Sequence, residues 1–355
     1  MPLGEPVDSG HLSRGTTRTP YPRFDHLRRM TGRYGIWEHA EYSTPRTDHG
    51  FCTEDNARAL VVVARQGAGL SDLASMYLEC VLEARTQSGH FRNRRNAAGV
   101  WTDEVGSDDS QGRAWWGLGS VARFGPEEWM RRAGVESFET SSVFQSPHLR
   151  ANAYAALGAA EMAKSEGDSA CALDLLDRTT AVIAEAARTT VPWPETRLTY
   201  DNARLPEALI AAGDVLGDDR RLSRGIRLLE WLVEEERNGS HFSFTAVGGR
   251  HPGGPQPAFD QQPLEAWAMA DACHRAWSIT GDSKWRVRAM AAVFWLLGRN
   301  DTGSILYDES TGATGDGLMI RSANANCGAE STIAGLGVLQ VALSVAGHDG
   351  MVKLD

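Results

Sequence analysis

Positive charge is in short supply: 36 lysines and arginines stand against 46 aspartates and glutamates, leaving a net charge of −10 over 355 residues. A nucleic acid or an anionic membrane needs a basic face, so neither is an expected partner, whereas a neutral or cationic one is. Long hydrophobic runs are missing too. The longest apolar stretch, Ala289 to Leu297, falls well short of the roughly 20 residues that cross a bilayer. Met1-Pro2-Leu3-Gly4-Glu5 carries an acid where a secretion signal has basic residues and an apolar core, which points to a cytoplasmic location.

Cysteine is sparse and unpaired. Cys52, Cys80, Cys171, Cys273 and Cys327 are odd in number and scattered, so neither a disulfide framework nor a zinc knuckle is expected. His-Glu-x-x-His is absent, and Cys273-His274 lacks the further ligands that zinc needs. Gly248-Gly249 and Gly253-Gly254 lack the preceding strand and the following Lys-Ser/Thr of a phosphate loop. No metal or other cofactor is expected. Strand alternation is almost absent as well, apart from Gly239 to Phe244, which predicts one small hairpin and no sheet of any size.

What is present is a long-period repeat, each unit opening with an acidic or amide cluster and continuing into a helix of small residues. Five copies are clear: Thr53 to Arg58, Ser107 to Arg113, Tyr200 to Arg204, Phe259 to Pro263 and Asn326 to Ser331; Ser146 to Asn152 is a weaker sixth. With Asp55, Asp109, His148, Asp201, Asp260 and Glu330 as markers, the steps are 54, 39, 53, 59 and 70 residues, less even than a solenoid. Asp-Asn-Ala-Arg recurs verbatim at Asp55 to Arg58 and at Asp201 to Arg204.

Each first helix ends in a compact break and a second, more charged amphipathic helix follows. The breaks are Gln66-Gly67-Ala68-Gly69, Phe124-Gly125-Pro126, Glu166-Gly167-Asp168, Leu216-Gly217-Asp218 and Thr280-Gly281-Asp282, with glycine to stop one helix and often Asp or Ser to cap the next. Connections back to the next cluster are long and rich in Gly, Pro and Trp. Short loops at one end and long loops at the other predict an all-α (α/α)6 barrel, six helical hairpins in a ring, with the acidic clusters on the long-loop face. Only five second helices follow the six first helices, so Tyr21 to Met30 is expected to close the ring against the last helix. Residues 1–19 read as a flexible tail, and 20–350 as one catalytic barrel domain.

Glycosidic bond cleavage needs a carboxylic acid to protonate the leaving oxygen and a second carboxylate to activate water or attack the anomeric carbon. The clusters supply Asp55, Asp109, Asp260 and Glu330 as catalytic candidates. The alternative for each is capping its helix or pairing with a nearby arginine, as Asp201 with Arg204 at i+3. Sugar contacts are expected from Trp37, His39, Glu54, Asn56, Arg58, Asp108, Gln111, Arg113, Trp115, His148, Trp193, Glu195, Tyr200, Asp201, Asn202, Arg204, Gln261, Gln262 and Asn326. Indole faces suit sugar rings, and amides offer both donors and acceptors to hydroxyls.

Together, Gly50 to Leu60, Gly106 to Ala114, Leu198 to Pro206, Phe259 to Pro263 and Gly328 to Thr332 resemble the six-hairpin glycosidase-like proteins over nearly the whole chain. That group's first motif has two aspartates where this chain has Glu54-Asp55, leaving open which acid of the pair acts. Size, location and an Ala/Arg-rich composition make the chain similar to the intracellular hydrolases of methylmannose polysaccharide, endo-acting α-1,4-mannanases. The resemblance implies a neutral, mannose-containing polysaccharide as partner, a base from the last repeat, hence Glu330, and an acid from an early one. A sugar lyase or epimerase working through His39, His148 or Tyr200, and a non-catalytic carbohydrate-binding barrel, are the competing expectations. Assembly into a homo-oligomer is left open by the sequence.

Overall fold

A computed structural model describes residues 19–138, 143–166, 169–189 and 192–348. The tail expected at 1–19 therefore falls almost entirely outside the described residues, as do Gly167 and Asp168 of one predicted break. In chain order the helices are α1 (Asp25–Arg29), α2 (Thr53–Gln66), α3 (Ser71–Glu83), α4 (Asp108–Phe124), α5 (Glu128–Phe138) and α6 (Leu149–Glu166). They continue with α7 (Ala170–Thr189), α8 (Arg204–Leu216), α9 (Asp219–Glu235), α10 (Pro263–Thr280), α11 (Ser283–Leu296) and α12 (Ala329–His348).

The even-numbered helices form the inner ring. Each packs on the next, α2 on α4 and so on to α10 on α12, and α12 returns to α2. Outside them α3, α5, α7, α9 and α11 each pair with the preceding inner helix. The (α/α)6 barrel is thus closed with five full outer helices. Among the described residues the helix behind α12 is α1, shorter than expected, because Pro22 keeps Tyr21 out of the helical region and the Arg23 N–H goes to the Tyr307 hydroxyl at 2.9 Å. His26 of α1 reaches the Cys327 carbonyl at 2.9 Å, tying the start of the chain to the start of α12.

The two rings are built from different patterns. Outer α9 buries Gly225, Leu228, Leu229, Leu232 and Val233, a single stripe at helical spacing. Inner α6 is surrounded, and its small residues let it approach α4 at backbone distance: a Cβ on Gly158 would sit 2.2 Å from the Trp115 carbonyl oxygen. The last inner helix is apolar and long enough over Ala329–Gly347 to cross a membrane, yet 78% of that stretch is buried inside the barrel, as a core helix is.

Helix ends follow the predicted stop and start chemistry. Gly217 and Gly281 take left-handed conformations after α8 and α10, and the carboxylates of Asp218 and Asp282 accept N–H bonds from Arg220 and Lys284 at 2.9 and 3.0 Å. The expected hairpin forms between Arg237–Asn238 and His241–Phe242, one of four two-stranded ribbons among the described residues. These ribbons and long loops gather at the N-terminal ends of the inner helices.

Candidate active site

Inner-helix starts bring the acidic clusters to one mouth of the barrel. Glu54 and Asp55 lie in the first turn of α2, Asp108 and Asp109 in that of α4, and Glu330 in that of α12, where the helix dipole favours anions. Arginines from the same turns interleave with them. Arg58 pairs with Asp55 and donates to Glu330 Oε2 at 2.6 Å. Arg113 donates to Glu54 Oε1 at 2.7 Å and to the Tyr154 hydroxyl at 2.8 Å, and that hydroxyl donates to Asp201 Oδ2 at 2.7 Å. Arg150 holds Glu195 through one nitrogen at 2.8 and 2.7 Å.

The acids divide into open and closed groups. Glu54, Asp108, Asp109, Glu195 and Glu330 are half-buried, and Asp260 is exposed, with no side-chain partner among the described residues. Asp109 is oriented by Tyr200, whose hydroxyl donates to it at 2.7 Å; burial and the Asp109 charge push that phenol's pKa up, so it stays a donor. Asp55 and Asp201 are closed. One Asp55 oxygen faces Arg58 and the other accepts the Cys52 thiol at 3.1 Å, while Asp201 is fully buried between Tyr154 and Arg204. Asp55, expected to be catalytic, is therefore the buried counter-ion of Arg58, and Asp201 takes its structural alternative.

Several expected sugar contacts are corrected in the same way. Trp115 is 1% exposed and packed edge-on against Phe91 and Phe138; Trp193 is 1% exposed and stacked on Trp231. Neither offers a face to a ligand. Arg204 is wholly buried between the rings of Trp116 and Trp267, 4.5 and 4.8 Å from their centroids. The buried amides hold backbone: Asn56 accepts from Ile36 N, Gln111 from Phe91 N, Asn202 from Thr199 N and Gln261 from Phe244 N. They shape the loops that frame the mouth rather than face it.

The remaining candidates stay near solvent. Trp37 is half-buried and stacked on Phe51 at 3.9 Å, His39 and His148 are exposed, Gln262 and Asn326 are half-buried, and Asn326 accepts from Tyr42 N at 2.9 Å.

Four contributors escaped the sequence reading as site residues. Glu38 accepts from Arg94, and its carbonyl receives the Ala329 N–H that starts α12, so it stands beside Glu330 and Asp55. Its position between Trp37 and His39 was the available signal. Arg150 lies within the weak sixth cluster, Ser146 to Asn152, but was not singled out, and Tyr154, further along α6, gives no motif signal. Glu265, on α10, binds the N–H groups of Asp201 and Asn202 and steadies the left-handed Asp201 ahead of α8. Burial, helped by Glu236 and Asp201, raises its carboxyl well above the usual range. Ligand atoms of Glu38, Cys52 and Asp55 lie within 4.8 Å of one another. Burial and neighbouring carboxylates push the Cys52 thiol up, and Arg58 already supplies the positive charge at Asp55, a poor setting for a thiolate-bound ion.

No protein-family model and no curated protein matches the chain. Its fold is shared with solved carbohydrate-active enzymes. A sugar epimerase from a ruminal bacterium superposes with a TM-score of 0.65 at 12% identity, covering 93% of this chain and 96% of that one. A cellobiose 2-epimerase from Bacillus thermoamylovorans gives 0.67 at 10%, covering 91% and 96%. An α-mannanase from Bacteroides thetaiotaomicron gives 0.59 at 12%, covering 91% and 94%. At such identities the likeness establishes the six-hairpin (α/α)6 barrel.

Proposed function

We propose that the chain is a glycoside hydrolase that cleaves an α-mannosidic polysaccharide by carboxylate acid/base catalysis at the long-loop mouth, without a metal or other cofactor. The observation that carries this reading is the set of half-open carboxylates at the inner-helix starts, Glu330 and Glu54, each held by an arginine of the inner ring, and Asp109, held by Tyr200 of the loop before α8. Glu330 is the proposed base and Asp109 the proposed acid. Glu38 and Glu54 complete the polar floor, and exposed Asp260 stands at the rim. Carboxylates rather than imidazoles are held in place here: His39 and His148 are exposed and reach acids only at 3.7 and 3.9 Å, which favours hydrolysis over epimerisation.

Within this reading the substrate is neutral methylmannose polysaccharide cut internally at α-1,4 linkages, in the cytoplasm, as the sequence resemblance implies. Incubation with a panel of neutral α-linked oligosaccharides, methylated mannans included, tests it. Shorter reducing products support hydrolysis. An unsaturated product absorbing in the ultraviolet, a C2-inverted sugar of unchanged length, or ligand retained intact would overturn it in favour of a lyase, an epimerase or a binding barrel.

A further inference from the structure

The opposite mouth of the barrel, at the C-terminal ends of the inner helices, holds a cavity of about 450 Å³ that the proposed reaction does not use. That volume lies within the roughly 300–1,000 Å³ of small-molecule sites. In a chain of net charge −10, this cavity is lined by Arg65, Arg123, Lys164 and Arg275 and by three carboxylates, Glu161, Glu207 and Asp271, with Lys164 paired at 2.6 Å to Asp214 just outside the lining.

Those carboxylates are already served. Arg275 donates to Glu161 at 2.9 Å and to Glu207 at 3.2 Å, Arg123 also pairs with Glu161, and Arg65 Nη1 lies 3.1 Å from both oxygens of Asp271. Although burial alone would raise it, Arg275 and Arg123 hold the Glu161 carboxyl down to about 2, so it stays an anion. Arg65 and Arg123 each spend only Nη1, and Arg275 leaves Nη1 unspent, in bonds among the described residues. Three guanidinium groups therefore retain N–H donors at one cavity. Beside them Gln340 gives its amide hydrogens to the Val62 carbonyl at 2.8 Å and to Gln66 at 3.1 Å, while its own oxygen is buried without a donor. A buried acceptor left unmet costs free energy that a ligand hydroxyl would recover.

We propose that this cavity is a second binding site, for a small hydroxylated anion of the sugar-phosphate class: guanidinium donors for the anionic group and Gln340 Oε1 for a hydroxyl. The site is joined to the other mouth by one run of buried polar contacts. Asp271 accepts from Arg204 at 2.8 Å, Arg204 meets Asp201 at 3.5 Å, and Asp201 leads through Tyr154 and Arg113 to Glu54.

Titration calorimetry of the intact chain with glucose 6-phosphate, inorganic phosphate and glucose tests the site. Glucose 6-phosphate binds one to one, inorganic phosphate binds more weakly at the same place, and glucose does not displace either. Arg123→Gln and Lys164→Gln, both at partly exposed positions, each weaken glucose 6-phosphate by about tenfold or more, whereas Glu330→Gln at the far mouth leaves it unchanged. Absence of binding by both anions, undiminished affinity in both cavity variants, or loss in Glu330→Gln would each overturn the proposal. None of these outcomes depends on whether polysaccharide is cleaved.

Discussion

Arg58 Nη1 lies 2.6 Å from Glu330 Oε2, joining the first inner helix to the last across 272 residues of chain. The contact closes the ring and aims a carboxylate that remains 33% exposed into the mouth. Because Asp55 balances the same guanidinium from the buried side, Glu330 can lose its charge without leaving Arg58 unpaired. Glu330→Gln should therefore lower turnover on a cleavable mannan by about 10²-fold or more while moving the melting temperature only slightly. Turnover within a factor of about two of the parent would remove Glu330 from the chemistry.

Removing the arginine instead should destabilise the fold as well as release Glu330. Arg58→Met strands a buried Asp55, and breaking such a pair from one side costs about 3–5 kcal/mol. Urea unfolding measures it, and Asp55→Asn in the same chain should recover part of the loss. If the double variant is as unstable as the sum of the two single ones, the pair is not coupled.

The Asp-Asn-Ala-Arg tetrapeptide shows how far the sequence could be read. Both copies form the same side-chain relations, aspartate to arginine at i+3 and asparagine to an upstream backbone N–H, so the repeat marked the ring correctly. Yet Asp55 to Arg58 lies inside α2, while Asp201 to Asn202 precedes α8 in a turn held by Glu265 from another helix. A residue 64 positions away decides that difference. Depth was hidden for the same reason. Trp115 and Trp193 sit beside clusters in the chain but face the outer ring, and only the packing of neighbouring helices reveals which side of an inner helix meets the mouth.

Close packing of α4 on α6 predicts a large cost for a single methyl group. A Cβ at Gly158 would lie 2.2 Å from the Trp115 carbonyl oxygen, and one at Gly119 would lie 1.9 Å from that of Gly158, both against backbone that cannot rotate away. Gly158→Ala should destabilise by about 1–3 kcal/mol or more. Gly69→Ala, with nothing within 4 Å and no left-handed backbone, should stay within about 0.5 kcal/mol. Equal melting temperatures for the two variants would show that the helices separate easily.

Glu236 gives the barrel a pH dependence of defined sign. Burial raises its carboxyl from 4.5 to about 7, opposed by bonds from the Thr245 hydroxyl and N–H and by Arg250, while Glu235 adds to the rise. Between about 4.5 and about 7 the folded chain keeps this proton and the unfolded chain has released it, so the unfolded state binds fewer protons and this group's contribution to stability falls as pH rises. Buried Glu265, raised in the same direction, adds to the slope. Glu236→Gln keeps an acceptor for Thr245 and never ionises. Its melting temperature relative to the parent should therefore climb as pH rises through that window and level off above it. A difference that stays constant across the window would mean that Glu236 is already ionised in the folded protein at its lower edge.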